Sequence, residues 1–277
     1  MPKDFLSACV PCYNDEATLA ATLDSIRSQT VAVDDLIVVD DGSADESGAI
    51  ARARGARVVR HPANLGRGAA RSRGLNESRH PLVLFVDASA VLPSDFIAGM
   101  LPWFDEARVA AVCARIDDPQ PDGVVRRWRA RHLFRVGTDV KVARHAGLIT
   151  GGSILRREAV LAVGNFNPAL RHGEDAELGR RLLAGGFDVV FDPRQRVNST
   201  GPNSLAQVLE RYWRWNATDE TMSWYQYLQQ VAYSVKVLAR KDLAANDPAA
   251  VLISLGAPHY QAWRTLRRGA ARNAGGR

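Results

Sequence analysis

What most restricts this chain is a set of short apolar runs, each stopping at a polar turn. Residues 5–10, 36–39, 56–60 and 82–86 each read as a buried strand. Amphipathic stretches separate them. Residues 15–29 carry Leu19, Leu23 and Ile26 on one helical face, residues 44–54 end at Gly55, and residues 66–78 form a third helix. Strands alternating with helices in units of about 30 residues predict a doubly wound, mostly parallel α/β sheet. Such sheets bind ligands outside the carboxyl ends of their strands.

That rule directs attention to the residues at the end of each run. Tyr13 comes just after the first, Asp40 and Asp41 end the second, and Asp87 succeeds the fourth. A turn with a helix cap accounts for Gly42, Ser43 and Asp45. It does not account for two adjacent carboxylates closing a buried run, so three polar groups on one rim read as a site.

After residue 120 the pattern changes. Residues 126–145 read as a strongly basic helix, and residues 148–155 as an extended stretch holding Gly151, Gly152 and Ser153. Residues 174–184 form a helix with an acidic first turn, closed by Gly185 and Gly186, and residues 187–191 another strand. From Ser204 onward the pattern is helical, with Leu228, Val231, Ala232, Val235 and Leu238 on one face. Pro202 and Asn203 mark the expected boundary between a sheet domain, 1–202, and a helical extension, 203–277.

Composition narrows the function. The chain has 277 residues, 46% hydrophobic and 24% charged, which is the globular range. The N-terminus shows no basic-then-apolar leader, and the charge-poor stretch 248–263 is too short to span a bilayer. The chain therefore reads as cytoplasmic, soluble or peripheral. Cys9, Cys12 and Cys113 make no disulfide framework, and no second CxxC completes a zinc site. Net charge is +6, scattered along the chain with local concentrations at 126–131 and 264–277. Nucleic-acid binding would rest on that charge alone and is not expected.

Six motifs then stand in order: Pro11-Cys12-Tyr13-Asn14, Asp40-Asp41-Gly42-Ser43, Asn64-Leu65-Gly66-Arg67-Gly68 with Arg71, Phe85-Val86-Asp87, Gly151-Gly152-Ser153, and Gly173-Glu174-Asp175. Together they resemble the family 2 glycosyltransferases, inverting enzymes with the Rossmann-like GT-A fold, over residues 5–200. The resemblance implies a nucleotide-sugar donor, with UDP first among candidates, and a glycan or lipid-linked acceptor. Pro11, Tyr13, Asn14, Asp41, Gly66, Arg71 and Asp87 then belong to the nucleotide side. Tyr13 offers the base a flat face, Asp41 accepts from a base N–H, and the glycines let the backbone and a helix N-terminus approach phosphate.

On the other side of the reaction, the resemblance makes Asp175 the general base that takes the acceptor's proton. Glu174 lies beside it as a supporting or acceptor contact, and the residues leave the reverse assignment open. Gly152 and Ser153 line the acceptor side. Arg211-Tyr212-Trp213-Arg214-Trp215 resembles the QxxRW motif of processive relatives, which assigns Arg211 and Arg214 to the diphosphate and Trp215 to the acceptor sugar.

Two positions depart from the pattern. The family's Asp-x-Asp reads Asp87-Ala88-Ser89, and Val197-Asn198-Ser199 stands where relatives often have a histidine. Asp87 thus remains the metal ligand for Mg²⁺ or Mn²⁺, weakly held, with arginines taking more of the leaving-group charge. The rival reading is a catalytically weak GT-A protein that binds nucleotide or glycan as a scaffold. The basic end with Trp263, Leu266, Arg264, Arg267, Arg268 and Arg272 suits an anionic membrane surface.

Overall fold

The computed structural model describes residues 6–118, 121–201, 204–216 and 222–274, with the backbone alone for 268–274. The chain forms two units, Met1–Asp117 with Asp139–Gly201, and Asp118–Thr138 with Pro202–Arg277.

The first unit is built on β1 (Leu6–Cys12), β2 (Asp35–Asp40), β3 (Arg57–Arg60), β4 (Leu82–Val86), β5 (Ala90–Val91), β6 (Val109–Asp117), β7 (Gly152–Arg156) and β8 (Asp188–Ser199). They form one sheet in the order β3-β2-β1-β4-β7-β6-β8-β5. β1 runs parallel to β2 and β4, β2 to β3, and β6 to β8. β7 is antiparallel between β4 and β6, and β5 pairs antiparallel with β8. Register sets the rim: Cys12 pairs with Asp40, and Asp40 with Arg60, so the three strands end level.

Around the sheet lie α1 (Glu16–Arg27), α2 (Ser47–Ala53), α3 (Arg67–Glu77), α4 (Phe96–Met100), α6 (Arg157–Ala162) and α7 (Glu174–Ala184), while α5 (Gly123–His132) belongs to the second unit. Leu6, Ala8 and Val10 of β1 pack in one core with Leu19, Leu23 and Ile26 of α1. Cys9 between them enters a second core with Ala70, Leu75, Leu178 and Leu182. A strand covered on both faces has no polar side to alternate, which is why these segments read as unbroken apolar runs.

Several expectations are revised. The basic helix ends at His132, because Arg135, Gly137 and His145 take positive φ that an α-helix does not hold. β5 and β6 fall in residues that carried no expected element, and the strand expected at 187–191 continues to Ser199. Phe5, Pro202 and Asn203 lie outside the described residues.

The second unit adds α8 (Leu205–Asn216), α9 (Trp224–Tyr233), a π-helical segment Ser234–Ala239, α10 (Arg240–Ala244) and α11 (Pro248–Ala274). Its basic segment is neutralised from within. Asp118 pairs with Arg126 and Arg129, Asp247 with Arg127 and Arg131, and Asp242 with Arg131 and His132. The arginine hydrogen bonds pull the Asp247 pKa down to about 2. The charge at 126–131 is therefore largely an internal scaffold. The face expected from Leu228 to Leu238 divides: Leu238 is buried, while Leu228 and Val235 are exposed. The π segment widens the turn and shifts the helical phase between them.

Candidate active site at the carboxyl rim of the sheet

The loops after β1 and β2 bind each other through side chains. Asn14 N–H donates to Ser43 Oγ at 3.0 Å, and Asn14 Oδ1 accepts from Ala44 N–H at 2.8 Å. Asp40 is fully buried, accepts from Ser43 N–H and faces Arg60 at 3.2 Å. Asp41 reaches the other way. Its Oδ1 accepts from Leu65 N–H at 3.0 Å and lies 2.7 Å from His61 Nδ1, and its Oδ2 accepts from Gly66 N–H at 2.8 Å. Gly42 takes φ +80° where a Cβ would stand 2.6 Å from the carbonyl carbon of Ala63. Asp41 thereby ties the whole 61–66 loop to β2. Tyr13 is half exposed beside these turns, and Pro11 is the next-to-last residue of β1.

The glycine-rich turn serves contact between backbones. A Cβ on Gly68 would stand 2.2 Å from Asn167 O. Gly68 N–H donates to Leu170 O at 2.9 Å, and Arg171 Nη1 donates to Asn64 O at 3.1 Å. The start of α3 is thus covered by residues 167–171 rather than presented to phosphate, contrary to the sequence expectation. Those residues lead directly into α7, so the two segments are held together.

Arg71 is buried and bridges two carboxylates. One guanidinium nitrogen meets Asp87 Oδ1 at 2.7 Å and another meets Glu174 Oε1. Burial works against its charge, but Asp87, Glu174 and Asp175 outweigh that and hold its pKa above the ordinary arginine value. Its guanidinium is directed at protein carboxylates, not outward. Glu174 is buried in this pair. Asp175, next along α7, is half-buried, and Ala176 N–H at 2.8 Å is its side-chain hydrogen bond among the described residues. Burial raises the Asp175 pKa, with Glu174 and Asp87 adding to the rise and Arg71 opposing it. Asp15 is raised likewise, by burial first and partly by Asp87.

Asp87 and the acidic start of α7 thus meet at one buried arginine, and the sequence of the chain matches the family model "Glycosyl transferase family 2" over residues 7–164. The chain belongs to glycosyl transferase family 2.

Among relatives of this family 2 chain, the pre-mycofactocin glycosyltransferase of Mycobacterium tuberculosis is 27% identical over 197 residues, 68% of this chain and 41% of the relative. The chain thus spans about two fifths of that relative's length. A mannosyltransferase of Pyrobaculum calidifontis, solved with GDP-mannose and Mn²⁺, superposes with TM-score 0.57 at 18% identity, over 98% of this chain and 81% of its own. Staphylococcus aureus TarS 1–349, solved with UDP-GlcNAc, gives 0.59 at 17%, over 91% and 72%. These likenesses establish the GT-A fold.

In this family 2 site, Gly152 and Ser153 are buried in β7; a Cβ on Gly152 would meet Val197 Cγ2 at 2.1 Å. Gly151 is the residue of the triplet beside Asp87, 3.2 Å from its Oδ2 as measured from a built Cβ. Ser89 leads into β5, and its carbonyl accepts from Thr200 N–H at 2.9 Å. Arg211, Arg214 and Trp215 lie on α8 of the second unit, where Trp215 is half exposed near Phe134.

Cation binding can be judged from the donors. Among the described residues no three His, Cys, Asp or Glu side chains gather as a metal cage. Asp87 has a partly exposed carboxylate, already bonded to Arg71, and its neighbour at 89 is a hydroxyl. That set suits a hard cation that arrives on a diphosphate and takes one protein carboxylate, and does not suit an ion held by protein alone.

Sequence reasoning passed over three residues of the site. His61 could have been found from strand register, since it comes directly after Arg60, which pairs with Asp40. Asp15 directly follows the Pro11–Asn14 motif but gains meaning only from Asp87 nearby. Arg171 has no local signal, because its role comes from contact with residues more than 100 positions earlier.

Proposed function

We propose that this chain is an inverting glycosyltransferase that moves a sugar from a nucleoside-diphosphate sugar to an acceptor hydroxyl. The relatives solved with GDP-mannose and UDP-GlcNAc support this donor class, and UDP remains the first candidate from the resemblance. Residues 1–202 carry the donor site and the chemistry in this reading, and 203–277 form a helical extension. A glycan or lipid-linked molecule is the acceptor, at the cytoplasmic side.

The observation that carries the reading is the contrast within Glu174-Asp175. Glu174 is buried, with Oε1 on Arg71 and Oε2 enclosed by protein, so a substrate hydroxyl has no open approach to it. Asp175 is half-buried, sparsely bonded and raised in pKa, which are the properties of a general base. In the proposed step the acceptor oxygen attacks the anomeric carbon while Asp175 takes its proton. The bond from that carbon to the diphosphate oxygen breaks, and the nucleoside diphosphate leaves with the electron pair.

Asp41 holds the 61–66 loop around the base, and Tyr13 offers its ring. Arg71 holds Asp87 and Glu174 in place. A divalent cation bound with the diphosphate would offset charge growing on the leaving group, with Asp87 as its protein ligand. The test is incubation of the purified chain with UDP and GDP sugars, scoring released nucleoside diphosphate and thermal stabilisation. Stabilisation without release at any acceptor would favour the scaffold reading, for which Ser89 speaks.

A further inference from the structure

Helix α9 is unusual for its composition. It reads WYQYLQQVAY, yet none of its residues is buried. Trp224 is 73% exposed and Tyr225 70%, with Leu228 and Tyr233 also exposed. The helix is closed at its start by a capping box: Gln226 N–H donates to Ser223 Oγ, and Ser223 N–H to Gln226 Oε1 at 2.7 Å. Its formation does not require its apolar side chains to be covered.

α11 presents a matching stripe. Leu252, Leu255, His259, Trp263 and Leu266 recur at helical spacing and are all exposed, Leu252 at 74% and Leu266 at 70%. The two helices meet through aromatic rings. Trp224 stacks near Tyr227 at 5.2 Å, and Tyr227 Oη lies 2.9 Å from His259 Nδ1. The two exposed stripes thus adjoin at Tyr227 and His259 within the second unit.

Charge selects its partner. Residues 222–241 and 248–277 contain eight of the chain's 36 Lys and Arg and none of its 30 Asp and Glu. The remainder of the chain consequently has slightly more acidic than basic residues. Lys236, Arg240 and Lys241 are exposed beside α9. Arg267 lies over the Trp263 ring at 4.6 Å, an exposed cation on an exposed aromatic. Among the described residues no helix is long and apolar enough to cross a membrane.

We propose that the α9–α11 face docks in the plane of an anionic lipid bilayer. Tryptophan, tyrosine and leucine would enter the headgroup boundary while the flanking Lys and Arg meet lipid phosphates. This binding is independent of the glycosyl-transfer reading, so either can fail alone. It places on α9 and α11 together what the sequence suggested only for the basic end. A second copy docking by the same face would bring further Lys and Arg against those already there and no Asp or Glu from either segment, which disfavours self-association through it.

Flotation of the full chain with vesicles tests it. Phosphatidylcholine vesicles containing phosphatidylglycerol should carry the chain up, vesicles of phosphatidylcholine alone much less, and added salt should weaken the binding. Lys236→Gln with Arg267→Gln should lower partitioning about fivefold per charge. Trp224→Ser with Trp263→Ser should lower it further, with the circular dichroism spectrum and melting temperature unchanged. If the tryptophan variant melts early, the Lys/Arg variant alone decides. The proposal is overturned by failure to float with anionic vesicles, by flotation that survives all four substitutions, or by a dimer in sedimentation velocity that the same substitutions dissolve.

Discussion

Two pairs of adjacent acids face the same rim, and they are held in opposite ways. Asp40 and Asp41 are both buried, and Asp41 is gripped by His61, Leu65 and Gly66, their contacts divided over its two oxygens. In Glu174-Asp175 only the first member is fixed, by Arg71, and the second keeps one backbone hydrogen bond. A carboxylate whose oxygens are occupied shapes a loop. A carboxylate that is crowded by charge, desolvated and lightly bonded is suited to take a proton. In the proposed reading, architecture falls to the first pair and chemistry to one member of the second.

The largest expected effect sharpens that assignment. Asp175→Asn should lower the transfer rate by about 10²–10⁴ while leaving nucleotide affinity close to that of the parent chain. Next comes the arginine that separates the two members of the second pair. Arg71→Met would leave Glu174 as an uncompensated buried charge, at a cost of about 3–5 kcal/mol in unfolding free energy by denaturant titration. An unchanged denaturation midpoint would mean that Glu174 is not held by this pair.

Smaller effects belong to the first pair. Asp41→Ala strands the Leu65 and Gly66 N–H groups, which should cost about 1–3 kcal/mol of folding stability, and by loosening the 61–66 loop it should weaken nucleotide binding measured by calorimetry. Unchanged affinity would separate the 61–66 loop from the base. The smallest effect is on pH. Because burial raises the Asp175 pKa and the base must be ionised, kcat/KM should rise with pH through a value above that of an ordinary aspartate. An acid limb below the ordinary aspartate range would place the proton acceptor elsewhere.

Much of the sheet was legible because a two-sided parallel sheet writes itself as apolar runs, and Asp40, Asp41 and Asp87 ended those runs. β6 was equally buried, VAAVCARID, but came after no marked turn and carried no motif, so its period gave no signal. Glu174 and Asp175 were legible as a helix start, while the difference between them was not, because it comes from Arg71 over 100 residues earlier. The sequence also showed Gly66 and Gly68 as residues of close approach. It could not show that residues 167–171 occupy the space a phosphate was expected to use.

The division between the two acid pairs is tested most directly by single-turnover transfer at saturating donor, run on Asp41→Ala and Asp175→Asn side by side. Saturation removes the contribution of binding, so Asp41→Ala should recover most of the parent rate and Asp175→Asn should stay about 10²–10⁴ below it. Transfer by Asp175→Asn at the parent rate, with Asp41→Ala the slower of the two, would contradict the assignment of chemistry to Asp175.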